Sequence, residues 1–183
     1  MSKNVLILSG SPRLYGNSDL LCDEFLKGAK EAGHEVEKIF LRNMKVAGCI
    51  GCEYCYKGGE STGICTIKDD MAQILDKMSD ADVIVLASPV YFYSVDSQIK
   101  AVIDRCFAKW KSLKNKEFYY IMTAGEDSDT VMDCTLECFR GFAKCLEGSV
   151  EKGVICAKGV YEKGEIKSTP YMKEAYEMGK SIS

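Results

Sequence analysis

The chain has 183 residues, 46% of them hydrophobic, and 24 basic against 27 acidic side chains give a net charge of −3. That length fits one domain with a core large enough to fold alone, and the mild charge, mixed in sign along the chain, argues against nucleic acid or an anionic membrane as a partner. No apolar run approaches the roughly 18 residues of a membrane span, and the start of the chain leaves no room for a signal peptide, so ten cysteines point to a reducing cytoplasm.

The first element is the apolar run Val5-Leu6-Ile7-Leu8, the pattern of a strand buried on both faces of a parallel sheet. It breaks into Ser9-Gly10-Ser11-Pro12-Arg13, and Asn17-Ser18 stand where they would cap a following helix. A strand, a small-residue loop and a helix N-terminus together form an anion site, with Ser11, Ser18, Asn17 and Arg13 as further donors. A phosphate cradle and an ordinary polar turn both fit this stretch. The spacings of a nucleoside-triphosphate loop and of a dinucleotide fingerprint are both missing, which disfavours ATP, GTP or a dinucleotide in the usual crevice.

Leu20, Leu21, Phe25, Ala29 and Ala32 recur at helical spacing up to Gly33, and Val36 to Leu41 alternates like a half-buried strand. His34, the only histidine, falls in the turn between them and reads as a solvated surface residue at the wrong end of the strands for catalysis. Arg42 to Lys68 is too long for an ordinary connection. It carries Cys49-x-x-Cys52-x-x-Cys55 and then Cys65, a set that suits an iron–sulfur cluster, zinc, a Cys52/Cys55 dithiol, or thiols packed as small apolar groups.

Asp69-Asp70 begin an amphipathic helix through Met71, Ile74, Leu75 and Met78. Ala81 to Ala87 is the clearest buried strand, and it ends in Ser88-Pro89-Val90-Tyr91-Phe92-Tyr93. Three aromatics just past a strand's carboxyl end suit a flat ring ligand, or simply cap the core. Ile99, Val102, Ile103, Cys106, Phe107 and Trp110 form a long helical stripe. Glu117 to Thr123 is a fourth strand running into Ala124-Gly125. Val131, Cys134, Cys138, Phe142 and Cys145 follow at helical spacing, with Cys134 and Cys138 expected in the core. Val150 to Ala157 is a fifth strand, Glu162-Lys163-Gly164 a turn, and Pro170 opens a last helix. This alternation implies an α/β, three-layer, doubly wound five-stranded parallel sheet in the order 2-1-3-4-5, occupying 1–183 as one domain with a cysteine-rich insertion at about 43–68.

The loop Gly10-Ser11-Pro12-Arg13-x-x-Gly16-Asn17-Ser18, the segment Ser88-Pro89-Val90-Tyr91 leading into Gln98-Ile99-Lys100-Ala101-Val102-Ile103-Asp104-Arg105, and the late Glu162-Lys163-Gly164-Glu165-Ile166-Lys167 resemble the NAD(P)H-dependent FMN reductase family of flavodoxin-like proteins. The resemblance implies a bound FMN. Its phosphate would be held by Ser11, Arg13, Asn17 and Ser18 beside Ser9, and its ring would lie on Pro89, Val90, Tyr91, Phe92 and Tyr93, with Thr123, Ala124 and Gly125 closing the other side. Amides of the 89–94 loop would favour a negatively charged reduced ring. NADH or NADPH would deliver hydride to FMN, and a small acceptor (a flavin, a quinone or similar) would take the electrons. No catalytic side chain is required, because the flavin carries the chemistry. A homodimer or homotetramer is also implied.

The cysteine loop is similar to the four-cysteine motif of iron–sulfur flavoproteins, in which a [4Fe-4S] cluster relays electrons from a ferredoxin-like partner to FMN. Cys49, Cys52 and Cys55 match that motif, while the nine residues between Cys55 and Cys65 make a longer last gap than is usual there. A flavin-binding sensor without turnover is a third reading.

Overall fold

A computed structural model describes residues 1–183. Five parallel strands, β1 (Asn4–Ser9), β2 (Glu35–Phe40), β3 (Val83–Pro89), β4 (Glu117–Thr123) and β5 (Val150–Ala157), form one sheet in the order 2-1-3-4-5. The helices between and after them are α1 (Asn17–Glu31), α2 (Met71–Asp80), α3 (Ser97–Arg105), α4 (Asp133–Lys144) and α5 (Tyr171–Lys180). The expected flavodoxin-like topology is therefore present. No helix is long and apolar enough to cross a membrane.

Side chains that alternate along each strand divide the core into two layers. Val5, Ile7, Val83, Val85, Tyr119 and Ile121 pack with Leu21, Phe25 and Ala29 of α1 and Ala175 of α5. Leu6, Leu8, Ile84, Leu86, Phe118 and Tyr120 pack on the other face with Ile74 and Met78 of α2, Ile99 and Val102 of α3, and Phe139 of α4. All seven residues of β3 are buried, as the central strand of a sheet covered on both faces must be. Helices α1 and α5 approach closely through two glycines. A Cβ on Gly28 would lie 2.0 Å from the Tyr176 carbonyl oxygen, and one on Gly179 would lie 2.1 Å from that of Phe25. Gly28→Ala is therefore expected to destabilise the chain by roughly 1–3 kcal/mol, seen as a lower urea midpoint at unchanged m. An unchanged midpoint would show that the two helices do not touch there.

Four expectations change. Helix α1 begins at Asn17, with Gly16 as its cap and no side-chain capping bond, so Asn17-Ser18 are the first residues of the helix rather than its caps. His34 is buried, not solvated. Its Nδ1 accepts from the Lys3 amide at 3.1 Å, and its Nε2 lies 3.0 Å from the Ile182 carbonyl, so the ring ties Lys3 and Ile182 to the α1–β2 turn. The stripe to Trp110 is not one helix: α3 stops at Arg105, and Cys106–Ala108 and Trp110–Ser112 are short 3₁₀ turns. On α4 the buried face is Thr135, Phe139 and Phe142, while Cys134 and Cys145 are exposed and Cys138 is half-buried. Those cysteines do not form the core.

Candidate functional site at the carboxyl ends of the strands

The loop after β1 leaves a set of amides without partners. Gly10 N–H donates to Ala87 and Gly16 N–H to Arg13, and the first intrahelical bond of α1 runs from Leu20 to Gly16. The amides of Ser11, Leu14, Asn17, Ser18 and Asp19 carry no bond within the chain. Asn17, Ser18 and Asp19 are nonetheless buried residues. Free N–H groups at a buried, uncapped helix start are the donor set for an anion. The side chains contribute less than expected. Ser11 Oγ accepts from Arg13 N–H at 3.2 Å and donates to Arg13 O at 2.9 Å, which closes the loop on itself. Asn17 is fully engaged elsewhere: its Nδ2 donates to Val160 O and Glu162 O, and its Oδ1 accepts from Gly164 N–H and Ile166 N–H. It fastens the loop after β5 to the start of α1. Ser9 donates to Asp19, whose carboxylate also takes the Tyr15 amide and is balanced by Lys38.

Beside this loop lies a cavity of about 350 Å³, lined by Arg13, Pro89, Val90, Tyr91, Thr123, Gly125, Val160 and Tyr161. Loops from β1, β3, β4 and β5 meet there, so Arg13, Pro89, Val90, Tyr91, Thr123 and Gly125 are brought together as expected. Val160 and Tyr161 are lining residues that the sequence reading missed. Tyr161 lies directly over Gly125, where a Cβ would come within 2.7 Å of its ring. Ala124 is held back in the structure, with its N–H bonded to Ala157 and its carbonyl to Val160. Phe92 and Tyr93 are outside the lining. They form the tip of a tight turn at φ +48° and +59°, closed by paired Tyr91–Ser94 backbone bonds of 3.0 Å. Such a turn normally favours Asn-Gly, and bulky residues held there are strained, as functional sites often are. The Tyr93 hydroxyl donates to Glu126 at 2.8 Å, linking the β3 and β4 loops, and that carboxylate pushes the tyrosine's ionisation up. Of the 89–94 amides, those of Val90, Tyr91 and Ser94 are spent on backbone bonds, which leaves Phe92 and Tyr93 as donors.

The cysteine segment projects from the α2–α3 side and carries only a small hairpin, Tyr56–Lys57 with Glu60–Ser61. Both of its ends are tied to Arg105, whose side chain is 1% exposed. The guanidinium donates to Asp69 and to the carbonyls of Ala47 and Ile67, and it lies 3.4 Å from Cys65 Sγ. Asp69 also accepts from the amides of Ala47 and Met71, so it acts as the helix-start acid and as the partner of a buried cation. Burial pushes the Cys55 thiol up, and its neighbours Cys65, Cys49 and Cys52 add to this. These four thiols form a donor set of the right kind for a cluster. As they stand in this structure they are not gathered into a site: no group of three or more Cys, His, Asp or Glu side chains lies close enough together to hold a metal.

Residues 3–135 match the family described as NADPH-dependent FMN reductase. The chain belongs to that family. It is also 46% identical over 101 residues to an iron–sulfur flavoprotein of Methanocaldococcus jannaschii, covering 55% of this chain and 50% of that one. An iron–sulfur flavoprotein of Methanosarcina thermophila is 39% identical over 112 residues, covering 60% and 56%. The chain thus spans about half the length of the curated relatives it matches. Among solved structures, an azoreductase from Bacillus anthracis superposes over the whole of both chains with a TM-score of 0.77 at 15% identity. An NAD(P)H:quinone oxidoreductase from Methanothermobacter marburgensis does so with a TM-score of 0.72 at 16%. At those identities the likeness is one of fold. For this FMN reductase family member, the matched span includes the β1 loop, the cysteine segment and the β3 and β4 loops. Tyr161 and the Asn17-bound loop after β5 lie beyond it.

Proposed function

We propose that the chain is an FMN-dependent oxidoreductase that takes hydride from NADH or NADPH and passes the electrons to a small acceptor such as a flavin or quinone. The observation that carries this reading is the cavity at the carboxyl edge, where Arg13 and a set of unpaired helix-start amides adjoin an apolar, aromatic slot. These residues fit FMN in kind. The amides of Ser11 and of Asn17 to Asp19, with Arg13, would hold the phosphate. Pro89, Val90 and Tyr91 would bear one face of the ring, with Thr123, Gly125 and Tyr161 at its edges. Bound FMN supplies the hydride acceptor. The chain's own part is positioning. The fixed β1 loop anchors one end, the Phe92 and Tyr93 amides offer donors to developing negative charge, and Tyr91 and Tyr161 would pack against the bound ring. Residues 1–183 would act as a single FMN-binding unit, with about 43–68 as an insertion, in a homodimer or homotetramer.

The test is anaerobic stopped-flow mixing of the FMN-loaded chain with NADH and then with NADPH. The flavin absorbance is expected to bleach with at least one of them and to return on adding a quinone. No bleaching with either would remove the reductase reading.

A second reading is favoured by the iron–sulfur name shared by relatives 36–46% identical to this chain. In it Cys49, Cys52, Cys55 and Cys65 would rearrange around a [4Fe-4S] cluster, and a ferredoxin-like protein would be the electron donor. Iron and acid-labile sulfide near four per chain, in protein purified without oxygen, would establish it. Their absence alongside bound flavin would leave the thiols as loop residues.

A further inference from the structure

Asp96 lies between the two loops assigned above to the phosphate and the ring, and it is 1% exposed. Its Oδ1 accepts from Ile99 N–H at 3.0 Å, which caps α3. Its Oδ2 lies against Gly10, where a Cβ would come within 2.1 Å of that oxygen. It has no cationic partner. Arg13 lines the cavity, Lys100 pairs with Asp104 at the surface, and Lys38 pairs with Asp19 and Asp23.

The contacts of Ser88 show which form of this carboxyl fits. Ser88 Oγ accepts from Asp96 N–H at 2.9 Å and lies 2.6 Å from Asp96 Oδ2 and 2.7 Å from Pro89 O. A serine has one proton to give and two lone pairs. If Asp96 is ionised, the single hydroxyl proton cannot satisfy both acceptors. If Asp96 carries a proton on Oδ2, it donates that proton to Ser88 Oγ, and the Ser88 proton is free for Pro89 O. All three contacts are then satisfied.

We propose that Asp96 is a positioning residue of the flavin site, held as the neutral acid so that its proton, passed as a hydrogen bond to Ser88, fixes the Pro89 carbonyl at the wall of the cavity. The proposal rests on the FMN reading of that cavity. Burial, which disfavours the charged form, outweighs the Ser88 hydroxyl and the backbone N–H groups of Ile99 and Gln98, which favour the carboxylate, and moves Asp96 in the same direction, above the ordinary aspartate value. For an acid raised in this way, the favourable state is complete at low pH and is lost as pH climbs through the raised value. Ionisation would release the Pro89 carbonyl and place a negative charge against Gly10, at the mouth of the anion loop. FMN affinity should therefore fall with rising pH. By linkage, FMN should favour the protonated acid.

Asp96→Asn reproduces the acid form. Its Oδ1 still caps Ile99, and its Nδ2 donates to Ser88. FMN is titrated by fluorescence quenching into the flavin-free wild-type and D96N chains between about pH 5 and pH 8, with the phosphate's own ionisation common to both. The wild-type affinity is expected to fall severalfold relative to D96N across that range, since the ionised acid loses the donor to Ser88 that the introduced Nδ2 keeps in D96N. In infrared difference spectra, the carbonyl stretch of a protonated carboxylic acid should be present in the wild type and missing in D96N. Parallel pH curves, or no such band, would overturn the proposal while leaving the flavin site intact. Failure of FMN to bind either chain at any pH would instead overturn the FMN reading itself.

Discussion

Arg13→Ala is expected to weaken FMN binding roughly 10- to 100-fold, the range for losing hydrogen bonds to a charged group. Arg13 is the one cationic side chain lining the cavity, and it sits in the loop whose free amides supply the other donors. Amides alone form a weaker cradle, because a planar guanidinium adds two-point recognition of phosphate oxygens that backbone N–H groups do not replace. The fold should survive, since the backbone of Arg13, and not its side chain, closes the Ser11 and Gly16 turns. Fluorescence titration of FMN, with thermal unfolding as the control, reads both effects. Unchanged FMN affinity in a folded variant would mean that the phosphate lies elsewhere. Lys in place of Arg should recover part of the loss, as a point charge without the fork.

Arg105→Ala is expected to cost stability by roughly 3 kcal/mol or more, because it strips the partner from Asp69 and leaves a largely buried carboxylate uncompensated. Asp69 is 10% exposed at its side chain and would keep only the Ala47 and Met71 amides. The loss should also be local. Arg105 holds Ala47 at the entry of the cysteine segment and Cys65 and Ile67 at its exit, so the variant should be cut faster by protease within residues 48–64. Urea unfolding measures the first effect and limited proteolysis the second. The double variant Arg105→Met, Asp69→Asn removes both charges and should recover much of the stability without restoring the clamp. An Arg105→Ala chain as stable and as protease-resistant as wild type would show that the pair does not fasten the loop.

Much of the fold was legible because a parallel sheet buried on both sides needs short apolar runs, and Val5 to Leu8 and Ala81 to Ala87 are such runs. The β1 and β3 loops were legible because their glycine, proline and small polar residues fall just beyond those runs. The misses have physical causes. On α4, Cys134 and Cys138 have the same spacing as Thr135 and Phe139. Treating cysteine as apolar and threonine as polar set the helix face one residue out of phase, and the buried Thr135 hid the error. His34 is buried through a contact with Ile182, 148 residues away, which no local pattern reveals. Asn17 reads as a phosphate donor by type and position, and no local pattern shows that its side-chain amide also binds a loop nearly 150 residues further on. Tyr161 has no motif of its own. The only hint was its place just after a strand that ends at the same sheet edge as the other site loops.

Calorimetric titration of the flavin-free chain with FMN and with riboflavin tests whether the carboxyl edge of this sheet binds FMN by its phosphate. One FMN per chain is expected, with riboflavin bound at least tenfold more weakly, since riboflavin lacks the group that the Arg13 loop is built to hold. Equal affinity for the two, or no uptake of FMN, would contradict it.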